Sequence, residues 1–175
     1  LCLESVRAAR EEEVSFMIKK GVWEEVDVQQ CLDVTGKPPI SVRWVDVDKG
    51  AQGAPEIRCR FVARDFKTPG ERDREDLFAA MPPIEALRML IRMAAMAPRG
   101  GEEQMQLMFL DVRKAHLNGS CDQDVFVCLP EEVGAGSGKC GKLVQWLYGM
   151  RGAAQGWEED YSARMEVEGY KRGLA

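Results

Sequence analysis

Residues 107–111, Leu-Met-Phe-Leu-Asp, constrain this chain more tightly than any other stretch, because an uninterrupted apolar run ends on one carboxylate. A short apolar run between polar flanks predicts a buried strand, and that strand would deliver Asp111 at its end. A carboxylate so placed loses hydration and needs a cation or hydrogen-bond donors in return. Asp111 is therefore a candidate metal ligand, with capping of the next turn as the plain structural alternative. Asn118-Gly119 predicts a turn on the far side, since both residues tolerate positive φ at little cost.

The rest of the pattern reads as an α+β order without repeats. Apolar positions at Val6, Ala9, Val14, Met17 and Ile18 predict a helix over residues 4–20, stopped by Gly21. Residues 40–48 and 57–67 are rich in Val, Arg and aromatics and flank a Gly- and Pro-containing loop, which predicts an antiparallel hairpin. A charged connector over 69–75 predicts a flexible loop. Pro82-Pro83 precedes an amphipathic helix over 84–96. Beyond Asp111 the pattern predicts a helical or turn segment, a strand over 124–129, a Gly-rich mobile loop over 133–141, a strand over 142–147 and a helix over 157–169.

Composition narrows the function classes. The chain has 175 residues, 45% hydrophobic and 30% charged, enough for one globular domain with a real core. The longest apolar-rich stretch is interrupted by Arg88 and Arg92 and is too short to span a membrane. No secretory leader is visible, because Glu4, Arg7 and Arg10 break the first ten residues; with no initiator Met, the chain is expected to be an excerpt. Six cysteines without a C-x-x-C pair, beside a single His, argue against zinc and for reduced thiols in a cytoplasmic or nuclear protein. A net charge of −5 speaks against strong nonspecific nucleic-acid binding, yet Arg58, Arg60, Arg64 and Lys67 form a local basic segment. Such a cluster is either a phosphate-binding surface or simply a solvated strand face.

Asp111-Val112-Arg113-Lys114-Ala115-His116-Leu117-Asn118-Gly119 resembles the first catalytic motif of the reverse transcriptases of copia-type retrotransposons, usually worded Asp-Val-Lys-Thr-Ala-Phe-Leu-Asn-Gly. Further blocks follow that family in order. They are Gly21-Val22-Trp23, Val42-Arg43-Trp44-Val45, the stretch from Arg58 to Phe66, Asp76-Leu77-Phe78-Ala79-Ala80-Met81-Pro82-Pro83 with Ala86-Leu87-Arg88, and Leu143-Val144-Gln145-Trp146-Leu147-Tyr148-Gly149-Met150-Arg151 with Trp157.

The resemblance implies a partial right-hand polymerase, with a fingers-like region over about 1–100 and the start of the palm over about 101–175. It implies RNA-directed DNA polymerase chemistry, nucleotidyl transfer assisted by two Mg²⁺ or Mn²⁺ ions roughly 3.5–4 Å apart. Asp111 would bridge the ions, with the carbonyl of Val112 beside it; Arg58, Arg60 and Arg64 would meet template or triphosphate. His116 stands where the family has a Phe that stacks under the incoming sugar. The implied partners are an RNA/DNA template-primer and deoxynucleoside triphosphates, in the setting of a longer polyprotein and without a membrane. Departures accompany the likeness. Gly152 and Ala154 replace the family's Gln and Pro, and its Tyr-x-Asp-Asp hairpin is absent from these residues. The chain as given is thus expected to be inactive. The alternative is a catalytically inert, retroelement-derived module that binds a protein or RNA.

Overall fold

A computed structural model describes residues 2–51, 54–66, 83–96, 104–134, 136 and 138–171. Helix α1 (Leu3–Lys20) buries Val14 and Met17 and closes at Gly21, whose φ of 69° lets its N–H and that of Val22 bond back to the last turn. The helix predicted for 4–20 is present. Next come β1 (Trp23–Asp27) and α2 (Val28–Thr35), two elements that the sequence pattern did not announce.

β2 (Val42–Asp48) and β3 (Ile57–Ala63) pair antiparallel from Val42↔Ala63 to Asp48↔Ile57, which is the expected hairpin. A second sheet has the order β1-β5-β4, with β4 at Phe126–Val127 and β5 at Lys139–Leu143. Parallel bridges Ile40↔Val127 and Val62↔Tyr148 tie the two sheets together. One core fills the space between them: Met17, Val22 and Trp23 meet Phe61, Leu117, Leu143, Trp146 and Leu147. Phe61 is its hub, with Trp44 at 5.2 Å and Trp23 at 6.4 Å, both tilted as edge-to-face packing favours.

α3 (Ile84–Ala95) and α4 (Ala153–Val167) complete the helices, α4 starting four residues earlier than expected. Several expectations need correction. Residues 107–110 are not a buried strand: the segment has no regular structure, and Met108, Phe109 and Leu110 are exposed. Among the described residues it finds no neighbouring strand, and an unpaired extended segment leaves its backbone to water. β5 begins inside the stretch expected to be a loop and ends at Leu143, four residues before the predicted end of the strand, because Lys139–Leu143 pairs with β1 on one side and β4 on the other. The turn after Asp111 is a short 3-10 turn at Ala115–Asn118, and its positive φ falls on Lys114 (53°), not on Asn118 or Gly119. Gly119 lies close against α4: a Cβ there would stand 3.0 Å from the Trp157 backbone nitrogen, a tight contact. The connector over 69–75 lies outside the described residues.

Candidate functional site

A cleft of about 680 Å³ opens between α1, β3 and the segment 111–114. Strand alternation explains its basic wall. Cys59 and Phe61 point into the core, so Arg58 and Arg60 must share the opposite, exposed face. Both line the cleft with Asp111 and Val112. Arg64 does not: it lies past the end of β3, exposed, with its N–H bonded to the Ser41 carbonyl at 2.8 Å.

Segment 111–114 is fixed from below rather than by strand pairing. Lys114 forms an ion pair with the buried Glu13 of α1 and sets its ammonium 3.8 Å over the Phe16 ring. Lys20 donates to Asn118 Oδ1 at 2.7 Å, while Asn118 Nδ2 donates to the Lys114 carbonyl at 3.3 Å. Asp111 itself is exposed at the cleft edge.

Tyr148 forms the back of the cleft, and its position is dictated by glycine chemistry. The Ala63 N–H donates to the Tyr148 carbonyl at 2.7 Å, and Gly149 follows with φ 81°. A Cβ on Gly149 would stand 2.2 Å from the Ala63 oxygen, so only glycine allows this approach. The Arg60 guanidinium lies 5.9 Å over the Tyr148 ring, and the His116 ring packs on Tyr148 at 5.6 Å, tilted by 45°. Burial pushes the Tyr148 phenol up to about 12, keeping it neutral. His116 is not among the groups lining the cleft; it stands behind Tyr148 with a buried Nδ1 that has no hydrogen-bond partner. Burial, then the charge of Arg60, lowers its pKa and favours the neutral ring.

On the other side of Asp111 a second cavity of about 370 Å³ is walled by Leu110, Trp157 and Tyr161, with the two aromatic rings 5.6 Å apart. Sequence reasoning passed over Lys114, Glu13 and Tyr161 as site residues. The four-residue spacing of Trp157 and Tyr161 was a usable signal for a shared helix face. Nothing local signalled the Glu13–Lys114 pair.

The donor set can be tested against a metal pair. Asp111 and the Val112 carbonyl are near one another in sequence, but Glu13 is committed to Lys114, and among the described residues no group of three His, Cys, Asp or Glu side chains is placed to hold an ion. These residues do not by themselves fit a two-metal centre. Among the described residues, no helix is long and apolar enough to cross a membrane.

The exposed Arg58–Arg60 face of β3 and the exposed Asp111 thus share one cleft. The reverse transcriptase (RNA-dependent DNA polymerase) family matches residues 22–173, and the chain belongs to that family. It is 24% identical over 166 residues to the retrovirus-related Pol polyprotein from transposon TNT 1-94 of Nicotiana tabacum. That alignment takes in 93% of this chain and 12% of the polyprotein, so the chain spans a small part of its relative. No solved structure matches it.

Proposed function

We propose that the chain is the fingers and first part of the palm of a retrotransposon RNA-directed DNA polymerase, and that as given it holds phosphate-bearing template-primer or deoxynucleoside triphosphate without joining nucleotides. One observation carries the reading: Arg58 and Arg60, far from Asp111 in sequence, line a single cleft with it. Two guanidiniums on one strand face suit phosphate oxygens, which Arg grips by paired N–H donors. Glu56 sits 3.5 Å from Arg58 in an exposed pair that water screens, so phosphate displaces it at little cost. With a net charge of −5, binding is expected to be weak and to fall steeply with salt.

The test uses a labelled RNA/DNA primer-template in fluorescence anisotropy, beside a primer-extension assay with Mg²⁺ or Mn²⁺. Charge reversal at Arg58→Glu with Arg60→Glu should abolish binding, Arg64→Ala should leave most of it, and no extension product should form. Extension that vanishes in Asp111→Asn would overturn the inactive reading. Binding that ignores Arg58 and Arg60 would overturn the cleft. The inert interaction module remains the second reading, favoured by the exposed apolar side chains of α3. It would lead if the chain bound a protein or RNA independently of any primer.

A further inference from the structure

Two buried thiols meet where α2 covers the three-stranded sheet, and a third, Cys128, lies just past the end of β4 with its thiol donating to the Pro39 carbonyl at 3.8 Å. Cys31 of α2 and Cys140 of β5 are buried in one small cluster with Phe126. The β4–β5 register pairs Phe126 with Lys142 and Val127 with Gly141, and continuing it by one residue past the end of β4 sets Cys128 opposite Cys140. The hydrogen bonds identify the kind of pair. Leu143 N–H donates to the Val125 carbonyl at 2.9 Å, so that pair, and by alternation Val127 with Gly141, is hydrogen-bonded. Cys128 N–H instead turns away from β5 to the Ile40 carbonyl at 2.9 Å. Cys128 and Cys140 therefore fall at a non-hydrogen-bonded position, where opposing Cα atoms typically lie about 4.5 Å apart and side chains approach most closely. That spacing is inside the roughly 4.4–6.8 Å that a disulfide spans. All six cysteines are free in this structure.

We propose that Cys128 and Cys140 form a thiol–disulfide modification site, at which a small disulfide oxidant such as glutathione disulfide links β4 to β5 while Cys31 stays a thiol. Cys128, half-exposed, is the point of entry. Its thiolate attacks the oxidant's S–S bond, forming a mixed disulfide and releasing one reduced thiol. The Cys140 thiolate then attacks the Cys128 sulfur and releases the second. Two protein thiols are oxidised, one external disulfide is reduced, and the two protein protons end on the released thiols. Burial holds both thiols above their usual pKa, with Cys31 raising each further, so the exchange is slow at neutral pH and quickens in alkali.

The bond would close the loop between the two cysteines, which carries Glu132. That carboxylate accepts from Trp44 Nε1 at 3.3 Å and pairs with Arg10 at 3.5 Å, so the loop fastens α1 to the hairpin. Restricting it in the unfolded chain should raise the melting midpoint by several degrees.

Peptide mapping decides the matter. The folded chain is treated with glutathione disulfide, unfolded, alkylated with iodoacetamide and cut with trypsin, which cleaves after Lys139 and so separates the two cysteines unless they are bonded. A linked Cys128–Cys140 peptide that disappears with dithiothreitol is expected, with the other four cysteines alkylated. Cys31→Ala should keep the link and Cys128→Ser should lose it, with far-UV circular dichroism checking that each variant folds. A glutathione adduct left on Cys128, a bridge through Cys31, or no bridge in the folded wild-type chain would each overturn the proposal.

Discussion

Phe61 and Phe109 make the clearest comparison in the molecule. Each stands in an apolar stretch with an arginine or aspartate close by, yet Phe61 is 1% exposed and Phe109 is 74% exposed. The same contrast separates the body built on α1, the hairpin and β1-β5-β4 from residues 83–96 and 104–112. α3 has no buried residue, although Leu87, Leu90 and Ile91 lie on it at helical spacing. Hydrophobicity sets a demand for burial; only a second surface meets it. In the body the apolar strand faces have such a surface, since α1 packs on β3 and α2 on the sheet of β1 and β5. Among the described residues, nothing covers the apolar side of α3.

The sharpest way to break this contrast is truncation on both sides of it. Phe61→Ala should cost about 3–5 kcal/mol in urea denaturation, the range for a large buried side chain, whereas Leu90→Ala on α3 should stay within about 0.5 kcal/mol. Comparable losses at the two sites would show that α3 is packed after all. A smaller effect, about 1–3 kcal/mol, is expected for Gly149→Ala, which combines a positive φ with a Cβ 2.2 Å from the Ala63 oxygen. Gly119→Ala, at an ordinary φ and 3.0 Å from the Trp157 nitrogen, should cost less than Gly149→Ala by the same measurement.

The smallest effect concerns pH. His116 has its folded pKa lowered, first by burial and then by Arg60, so the unfolded chain binds its proton more readily. Its contribution is complete above the unfolded value of about 6.5 and is lost as pH falls from there through the folded pKa. Denaturation midpoints between pH 7.5 and about 5 should therefore fall in the parent chain and fall less in His116→Phe. Equal slopes would mean that His116 titrates as in the unfolded chain.

Local chemistry made much of the fold legible. Gly21 after a periodic apolar pattern marked the end of α1, the run rich in Val, Arg and aromatics marked β3, and Pro83 marked the start of α3. The misreadings share a cause. Residues 107–110 satisfied the pattern of a buried strand, but pairing is a property of two segments, and periodicity in one does not say whether the other is there. β1 and α2 were too short to raise a periodic signal, and their identity rests on the register with β5 and on Cys31 packing beneath it.

For the candidate site the division follows the range of the forces involved. Sequence by itself determined the family through ordered motif blocks and singled out Asp111 and the basic segment of Arg58, Arg60 and Arg64, because residue type and motif order are read from neighbouring positions. Tertiary structure alone decided that Arg58 and Arg60 meet Asp111 in one cleft, that Arg64 stays outside it, and that His116 sits behind Tyr148. Lys114 and Glu13 are 101 positions apart, and such pairs form only once the chain has closed on its core and desolvated both partners. Burial, which depends on every packed surface at once, also separates Phe61 from Phe109: one found its complement within the fold, and the other stands in water.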